Sequence, residues 1–233
     1  MKKISCVFFD LYNTLFKFYP DREETQYQAS KLIDLDINKN ELKDALLKAD
    51  SWFASQTAKR SIHLMEDKEK FSFYSKYEKV LFKYLGQKLT QIQAEKIWTY
   101  VYKQKSSLKL YDDVIPCLKF LKSKNYKAGI ITNIDSKGES LIKQLNLSNY
   151  ISSVITSHDA GASKPSIKIF QFALNKFNAE PSECLFVGDQ IETDVIGAKN
   201  SGLVPILLDR ENQYSDYRES IVIKNLNELR FNL

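Results

Sequence analysis

The sequence predicts an α/β protein: a parallel sheet flanked by helices, interrupted by an inserted bundle of α-helices. Three observations lead there. Ile4 to Phe9 is a short, nearly continuous apolar run rich in β-branched and aromatic residues, which suits a strand covered on both faces. From residue 108 onward, apolar strand-like runs alternate with amphipathic stretches, the pattern of repeated βα units. Between them, residues 17–107 carry no glycine except Gly86 and no proline except Pro20, and their apolar residues recur at helical spacing.

The first strand ends in a carboxylate. In open α/β sheets the carboxyl ends of the strands form the ligand crevice, so Asp10 is expected to point into it. The chain must then turn sharply, and Asn13 tolerates a left-handed backbone better than most residues.

The inserted segment reads as four helices. They cover residues 25–33, 41–53, 68–85 and 90–102, and Thr90 is placed to cap the last. In the second, Leu42, Ala45, Leu46, Ala49 and Phe53 share one face. In the third, Phe71, Tyr74, Tyr77, Val80, Leu81 and Tyr84 form an aromatic stripe that reads as bundle core. A parallel crossover needs only about a dozen residues, so the segment amounts to a domain: residues 17–107 inserted into a core of 1–16 and 108–233. Its cations apart from lysine are Arg22, Arg60 and His63, all expected at the surface.

The core resumes with a helix over 113–124 and a strand that runs through AGIITN, residues 128–133, with Thr132 and Asn133 at its end. A helix over 137–147, a strand over 153–156 and a helix over 166–177 follow. Ser163-Lys164-Pro165 precedes that last helix, with Lys164 biased toward extended backbone by the proline. The strand 185–187 ends in Gly188-Asp189, and Asp194 lies five residues beyond Asp189. A helix over 193–201 stopped by Gly202 and short strands over 204–208 and 220–223 complete the chain.

An Asp-x-x-x-Thr turn, a Thr at a strand end, a Lys-Pro and a Gly-Asp-x-x-x-x-Asp occur here in that order. The set resembles the haloacid dehalogenase (HAD) superfamily of hydrolases, over residues 1–16 and about 108–210. The resemblance implies a Rossmann-like core and makes the helical insertion a cap that closes on hinges near residues 16–20 and 105–112. It also implies Asp10 as nucleophile, Thr14 as a donor orienting the Asp10 loop, and Thr132 as a phosphoryl-oxygen donor with neighbouring backbone N–H groups, Asn133 binding substrate beside it. Lys164 supplies fixed charge.

The chemistry explains these residue types. A carboxylate nucleophile and a phosphoryl group bring several negative charges into one pocket, and a divalent cation with a lysine relieves them. Asp10, Asp189 and Asp194 are hard oxygen ligands suited to Mg²⁺; the resemblance adds the Tyr12 carbonyl.

One position departs from the phosphatase pattern. Superfamily phosphatases usually carry a second aspartate two residues after the nucleophile, to protonate the leaving group. Here that residue is Tyr12. Loss of a general acid costs roughly 10²–10⁴-fold with an alkoxide leaving group, whereas halide, acyl-phosphate and aryl-phosphate groups need little or no proton. The 2-haloacid dehalogenases of the superfamily have tyrosine here. They work without metal, however, and typically carry Ser-Asn where this chain has Gly188-Asp189; they also place an arginine about thirty residues after the nucleophile, near Glu41 here. The balance favours a Mg²⁺-dependent phosphatase acting on a small phosphorylated metabolite. A 2-haloacid dehalogenase and a weakly active or non-catalytic binding protein are the alternatives.

Composition narrows the partners. Net charge is +5, from 34 basic and 29 acidic residues in 233, with the lysines dispersed and not clustered as a nucleic-acid footprint requires. Cys6, Cys117 and Cys184 have no close-spaced pair, which fits core thiols in a reducing cytoplasm and not a zinc site. No signal-peptide block precedes the first strand, and no run reaches the ~18 apolar residues of a membrane helix. A soluble cytoplasmic enzyme, monomeric or homodimeric, is expected.

Overall fold

The structure is a computed structural model that describes residues 3–57, 59–60, 62–104, 107–134 and 136–233. The side chain of His63, and Lys105 and Ser106 of the second expected hinge, lie outside the described residues. The chain divides into two compact units, Met1–Lys17 with Leu110–Leu233, and Phe18–Lys109.

In chain order the elements begin with β1 (Cys6–Phe9), β2 (Phe16–Tyr19), α1 (Arg22–Lys31), α2 (Leu42–Thr57), α3 (Asp67–Tyr84), α4 (Gln91–Lys103) and β3 (Ser107–Leu110). They continue with α5 (Val114–Ser123), β4 (Lys127–Thr132), α6 (Gly138–Gln144), β5 (Ser153–Thr156), α7 (Ser157–Ala160) and α8 (Ile167–Phe177). Then come β6 (Cys184–Gly188), a π-helical turn (Ile191–Val195), α9 (Ile196–Asn200), β7 (Val204–Leu208) and β8 (Ile221–Ile223).

Six strands form one parallel sheet in the order β5-β4-β1-β6-β7-β8. The chain leaves β1 toward β4 and β5, then returns to the other side of β1 for β6. That reversal is a topological switch point, and it opens a crevice at the carboxyl ends of β1, β4 and β6. The register pairs Phe9 with Ile130 on one side and Val187 on the other, so Asp10, Thr132 and Asp189 leave the sheet within one residue of the same level.

Both faces of the sheet are covered, as the continuous apolar strands require. Cys6, Phe8, Ile131 and Phe186 pack with Phe170 and Phe177 of α8. Phe8 meets Phe177 edge to face at 4.8 Å, a contact worth about 0.5–1.5 kcal/mol beyond burial. Gly129 makes it possible, since a Cβ there would stand 2.5 Å from the Phe177 ring. Cys6 and Cys184 are register partners on β1 and β6, so two thiols distant in sequence lie side by side; all three cysteines are buried and free.

The second unit is helical as expected, with Leu42, Leu46, Leu81, Phe82 and Ile97 at its centre. Thr90 caps α4, its hydroxyl accepting from the Gln93 N–H. The aromatic stripe of α3 is buried only in part: Phe71 and Tyr84 are 40% and 47% exposed, and the buried face runs Ser75, Tyr77, Glu78, Leu81, Phe82. Arg22 departs from its expected surface place. Its guanidinium donates to both Asp50 oxygens at 2.6 and 2.9 Å and to the Tyr77 hydroxyl at 2.5 Å. Arg60 is exposed and paired with Glu69.

Two features were not expected. The ribbon of β2 with β3 occupies the chain where hinges were placed. The helix expected over 193–201 opens as the π-helical turn, with the Val195 N–H bonded to the Gln190 carbonyl. Left-handed backbone follows several helices, at Asn125, Asn146 and Asn178 as well as at Gly86 and Gly202.

Candidate active site

The site belongs wholly to the first unit. Asp10 stands one residue past β1, its N–H donating to the Val187 carbonyl at 2.8 Å, so the sheet fixes its height. The turn after it closes through Leu15 N–H and Phe16 N–H, both donated to the Leu11 carbonyl, and Asn13 takes the left-handed conformation at φ 58°. Sequence reading anticipated that role for Asn13.

Lys164 lies between two carboxylates. Its ammonium is 2.5 Å from Asp10 Oδ1 and 2.6 Å from Asp194 Oδ1, with all three side chains nearly buried. Burial alone would depress the Lys164 ammonium, but Asp10 and Asp194 outweigh it and hold the lysine above its usual range, so it stays charged. The backbone of Lys164 is clamped as well. Asn133 accepts from the Lys164 N–H at 2.7 Å and donates to the Lys164 carbonyl at 3.0 Å. Both polar groups of the Asn133 amide are thus engaged on Lys164. The Lys164–Pro165 peptide is cis.

Asp194 is positioned by the π-helical turn, a feature common at functional sites. Its Oδ2 accepts from the Gln190 N–H at 3.1 Å. The carboxylate packs directly on Gly188, where a Cβ would stand 2.3 Å from Asp194 Oδ2. The Gly-Asp pair ending β6 therefore needs its glycine to admit Asp194.

Asp189 completes the group. Oxygen atoms of Asp10, Asp189 and Asp194 lie within 4.8 Å of one another, a cluster able to hold a metal ion. Asp189 accepts from Asn13 Nδ2 at 3.4 Å and Gln190 Nε2 at 3.1 Å, and among the described residues it makes no ion pair. Burial, then repulsion from Asp10 and Asp194, holds the Asp189 carboxyl far above the usual carboxylate range. Burial, opposed by Lys164 and reinforced by Asp194, sets the Asp10 carboxyl at about 6. Three carboxylates against one ammonium leave two formal negative charges in a buried space. Such a deficit favours either protons or a bound cation.

Of the other expected residues, Thr132 ends β4 and is buried beside the crevice, and Tyr12 is half-buried in the turn. Thr14 is fully buried, and its hydroxyl has no hydrogen-bond partner among the described residues. Gln190 was not foreseen. A neutral amide next to the Gly-Asp pair carries no signal of its own in the sequence.

This fold has known counterparts. The haloacid dehalogenase-like hydrolase family matches residues 4–202, and the chain belongs to that family. The glyceraldehyde 3-phosphate phosphatase of Methanothermobacter thermautotrophicus is 32% identical over 145 residues, 61% of this chain and 64% of that protein, so the match spans just under two thirds of the relative. The phosphatase of the same name from Methanocaldococcus jannaschii is 28% identical over 221 residues, covering 90% and 92% of the two chains. Among solved structures, the HAD-hydrolase YfnB of Bacillus subtilis, bound to magnesium, superposes with a TM-score of 0.67 at 17% identity, covering 100% of this chain and 99% of its own. That likeness concerns the fold.

Proposed function

We propose that the chain is a Mg²⁺-dependent phosphatase for small phosphorylated metabolites, working through an aspartyl-phosphate on Asp10. The observation that carries this reading is the excess of carboxylate over ammonium at the crevice. A haloacid carboxylate would bring nothing to relieve this excess, whereas a divalent cation would balance it and draw in a phosphoryl group. The relatives named as glyceraldehyde 3-phosphate phosphatases support the substrate class.

The donor set fits Mg²⁺, being all oxygen. Asp10, Asp189 and the Tyr12 carbonyl would hold it, with Asp194 as a further carboxylate already engaged by Lys164. When bound, the ion neutralises phosphoryl oxygens. Asp10 attacks phosphorus, the bond from phosphorus to the leaving oxygen breaks, and that oxygen takes its electron pair and then a proton from solvent. Water next attacks the phosphorus, the bond to Asp10 breaks, and orthophosphate and the free carboxylate result, the water proton passing to solvent. Lys164 steadies the charge that develops on Asp10 and the transferring group. Thr132 and the adjacent backbone N–H groups serve as donors to phosphoryl oxygens. Asn133 supports substrate binding by fixing Lys164; the turn is held by its own backbone bonds and not by the Thr14 hydroxyl, which has no partner among the described residues. The helical unit supplies substrate selection.

A second reading is favoured by Tyr12. With tyrosine where a general acid normally stands, the chain matches the turn of 2-haloacid dehalogenases. Activity on an aryl phosphate, measured with Mg²⁺ and with a chelator alongside halide release from 2-haloacids, separates the two. Mg²⁺-dependent phosphate release abolished by Asp10→Asn supports the phosphatase; chelator-insensitive halide release overturns it. The three buried thiols suit the reducing cytoplasm in which such an enzyme would work.

A further inference from the structure

Arg210 takes no part in the site as described, yet it stands two residues beyond β7, at the same carboxyl edge of the sheet as Asp10 and Asp189. Its guanidinium is nearly buried and almost fully committed. Nε donates to the Asn13 carbonyl at 3.2 Å, and Nη2 donates to the Thr14 carbonyl at 2.8 Å. Nη1 and Nη2 also form a bidentate pair with Asp113 at 2.8 and 3.0 Å. The guanidinium carbon lies 4.0 Å from the centre of the Tyr111 ring.

The supports of this arginine are themselves fixed. Asp209 accepts from the Gln213 and Tyr214 N–H groups at 2.8 Å each, which sets the turn carrying Arg210. Asp113 Oδ2 also accepts from the Leu226 N–H at 2.8 Å, tying the C-terminal helical turn into the same network. The two carbonyls that Arg210 grips follow the left-handed Asn13 directly, in the turn that begins at Asp10. Without the fork, two adjacent carbonyls would lose a charged donor at a point where the backbone is least favourable for a non-glycine residue.

We propose that Arg210 is a positioning residue: it locks the Asp10–Phe16 turn, and with it the direction of the nucleophile, through main-chain carbonyls. The inference rests on Asp10 being the nucleophile as read above. The planar fork matters as much as the charge. Lysine offers one ammonium in place of a rigid fork and cannot serve two successive carbonyls and a bidentate carboxylate together.

The test compares Arg210→Ala and Arg210→Lys with Leu174→Ala, a cavity variant in α8 that lowers stability away from the turn. All are assayed well below their melting temperatures at saturating aryl phosphate and Mg²⁺, and amide hydrogen exchange is followed over residues 10–16. Arg210→Ala is expected to lower kcat by about 10²-fold, the scale of a 1 Å misplacement, with KM changing far less. Exchange in the turn accelerates, guanidinium ion restores part of kcat, and Arg210→Lys recovers little. Leu174→Ala keeps its kcat. Unchanged exchange over residues 10–16 in Arg210→Ala would overturn the inference, whatever happens to kcat, and so would an equal loss in Leu174→Ala. If the wild type releases no phosphate, the phosphatase reading fails, and the exchange result still decides the role of Arg210.

Discussion

Lys164 and Asp10, 154 positions apart in sequence, are joined by a 2.5 Å ion pair at the head of the central strand. The same ammonium holds Asp194 at 2.6 Å, so one lysine balances two buried carboxylates. Removing one partner of a buried pair costs about 3–5 kcal/mol. Lys164→Met is expected to lower the melting temperature and to reduce kcat/KM by about 10²-fold or more. A variant that keeps its activity would remove Lys164 from the chemistry.

Asn133 separates two roles. If its amide works by clamping Lys164, Asn133→Ala loses both hydrogen bonds, costs about 1–3 kcal/mol, and lowers kcat more than it raises KM. Steady-state kinetics showing a rise in KM alone would assign the side chain to substrate contact instead.

Gly188→Ala probes the seat of Asp194. The added Cβ would stand 2.3 Å from Asp194 Oδ2, and overpacking of this kind costs about 1–3 kcal/mol. Because Asp194 must move, loss of Mg²⁺-dependent activity is expected to exceed what the drop in melting temperature explains. A fully active, merely less stable protein would count against the arrangement.

Glu78 gives the helical unit a pH signature. Burial, offset in part by Gln26 and Arg22, pushes its carboxyl from 4.5 to about 8. Glu78 Oε2 and Gln26 Oε1 are both buried acceptors without partners among the described residues, although the two residues already share one hydrogen bond at 3.2 Å. A proton on Glu78 supplies the missing donor. The folded state therefore holds a proton that the unfolded chain releases above 4.5. This contribution to stability is fully present below pH 4.5, declines as pH rises, and levels off above about 8. Glu78→Gln keeps the shape and supplies a permanent donor. Thermal unfolding at pH 5, 7 and 9 is expected to show the variant losing much less stability than wild type; parallel curves would refute the protonated pair.

On the reading proposed above, the residue at position 12 is expected to set the range of leaving groups. Tyr12→Asp is expected to raise turnover on alkyl phosphates far more than on aryl phosphates, by up to the roughly 10²–10⁴-fold that general acid catalysis supplies. Equal changes on both would show that proton donation is not what limits the enzyme.

Much of this site was legible because parallel sheets announce their functional edge. An apolar run that ends in a carboxylate, a threonine or a Gly-Asp can be read locally, which singled out Asp10, Thr132 and Asp189, and Asp194 was singled out by its spacing from Asp189; the structure brings the three aspartates together. That β4 and β6 flank β1 is a long-range matter, invisible to periodicity. The π-helical turn escaped because the same residue pattern suits an α-helix of similar length. β2 and β3 escaped because each is four residues long and only partly buried. Glu78 carries no signal of its own on a lysine-rich helix; its burial, with Gln26 of α1 donating to it, comes from tertiary packing. Arg210 carried the signal that revealed Asp10, a charge just past an apolar strand, but its hold on the turn runs through main-chain carbonyls, which leave no mark in a sequence.

Of the nine left-handed residues among those described, five are asparagines and only three are glycines. Each asparagine accepts some strain in the native turn, yet restricts the denatured chain more than glycine would. The helices of the core are thus ended by residues that narrow the disordered ensemble, and Asn→Gly replacement at 125, 146 or 178 trades relief of that strain against a floppier unfolded chain.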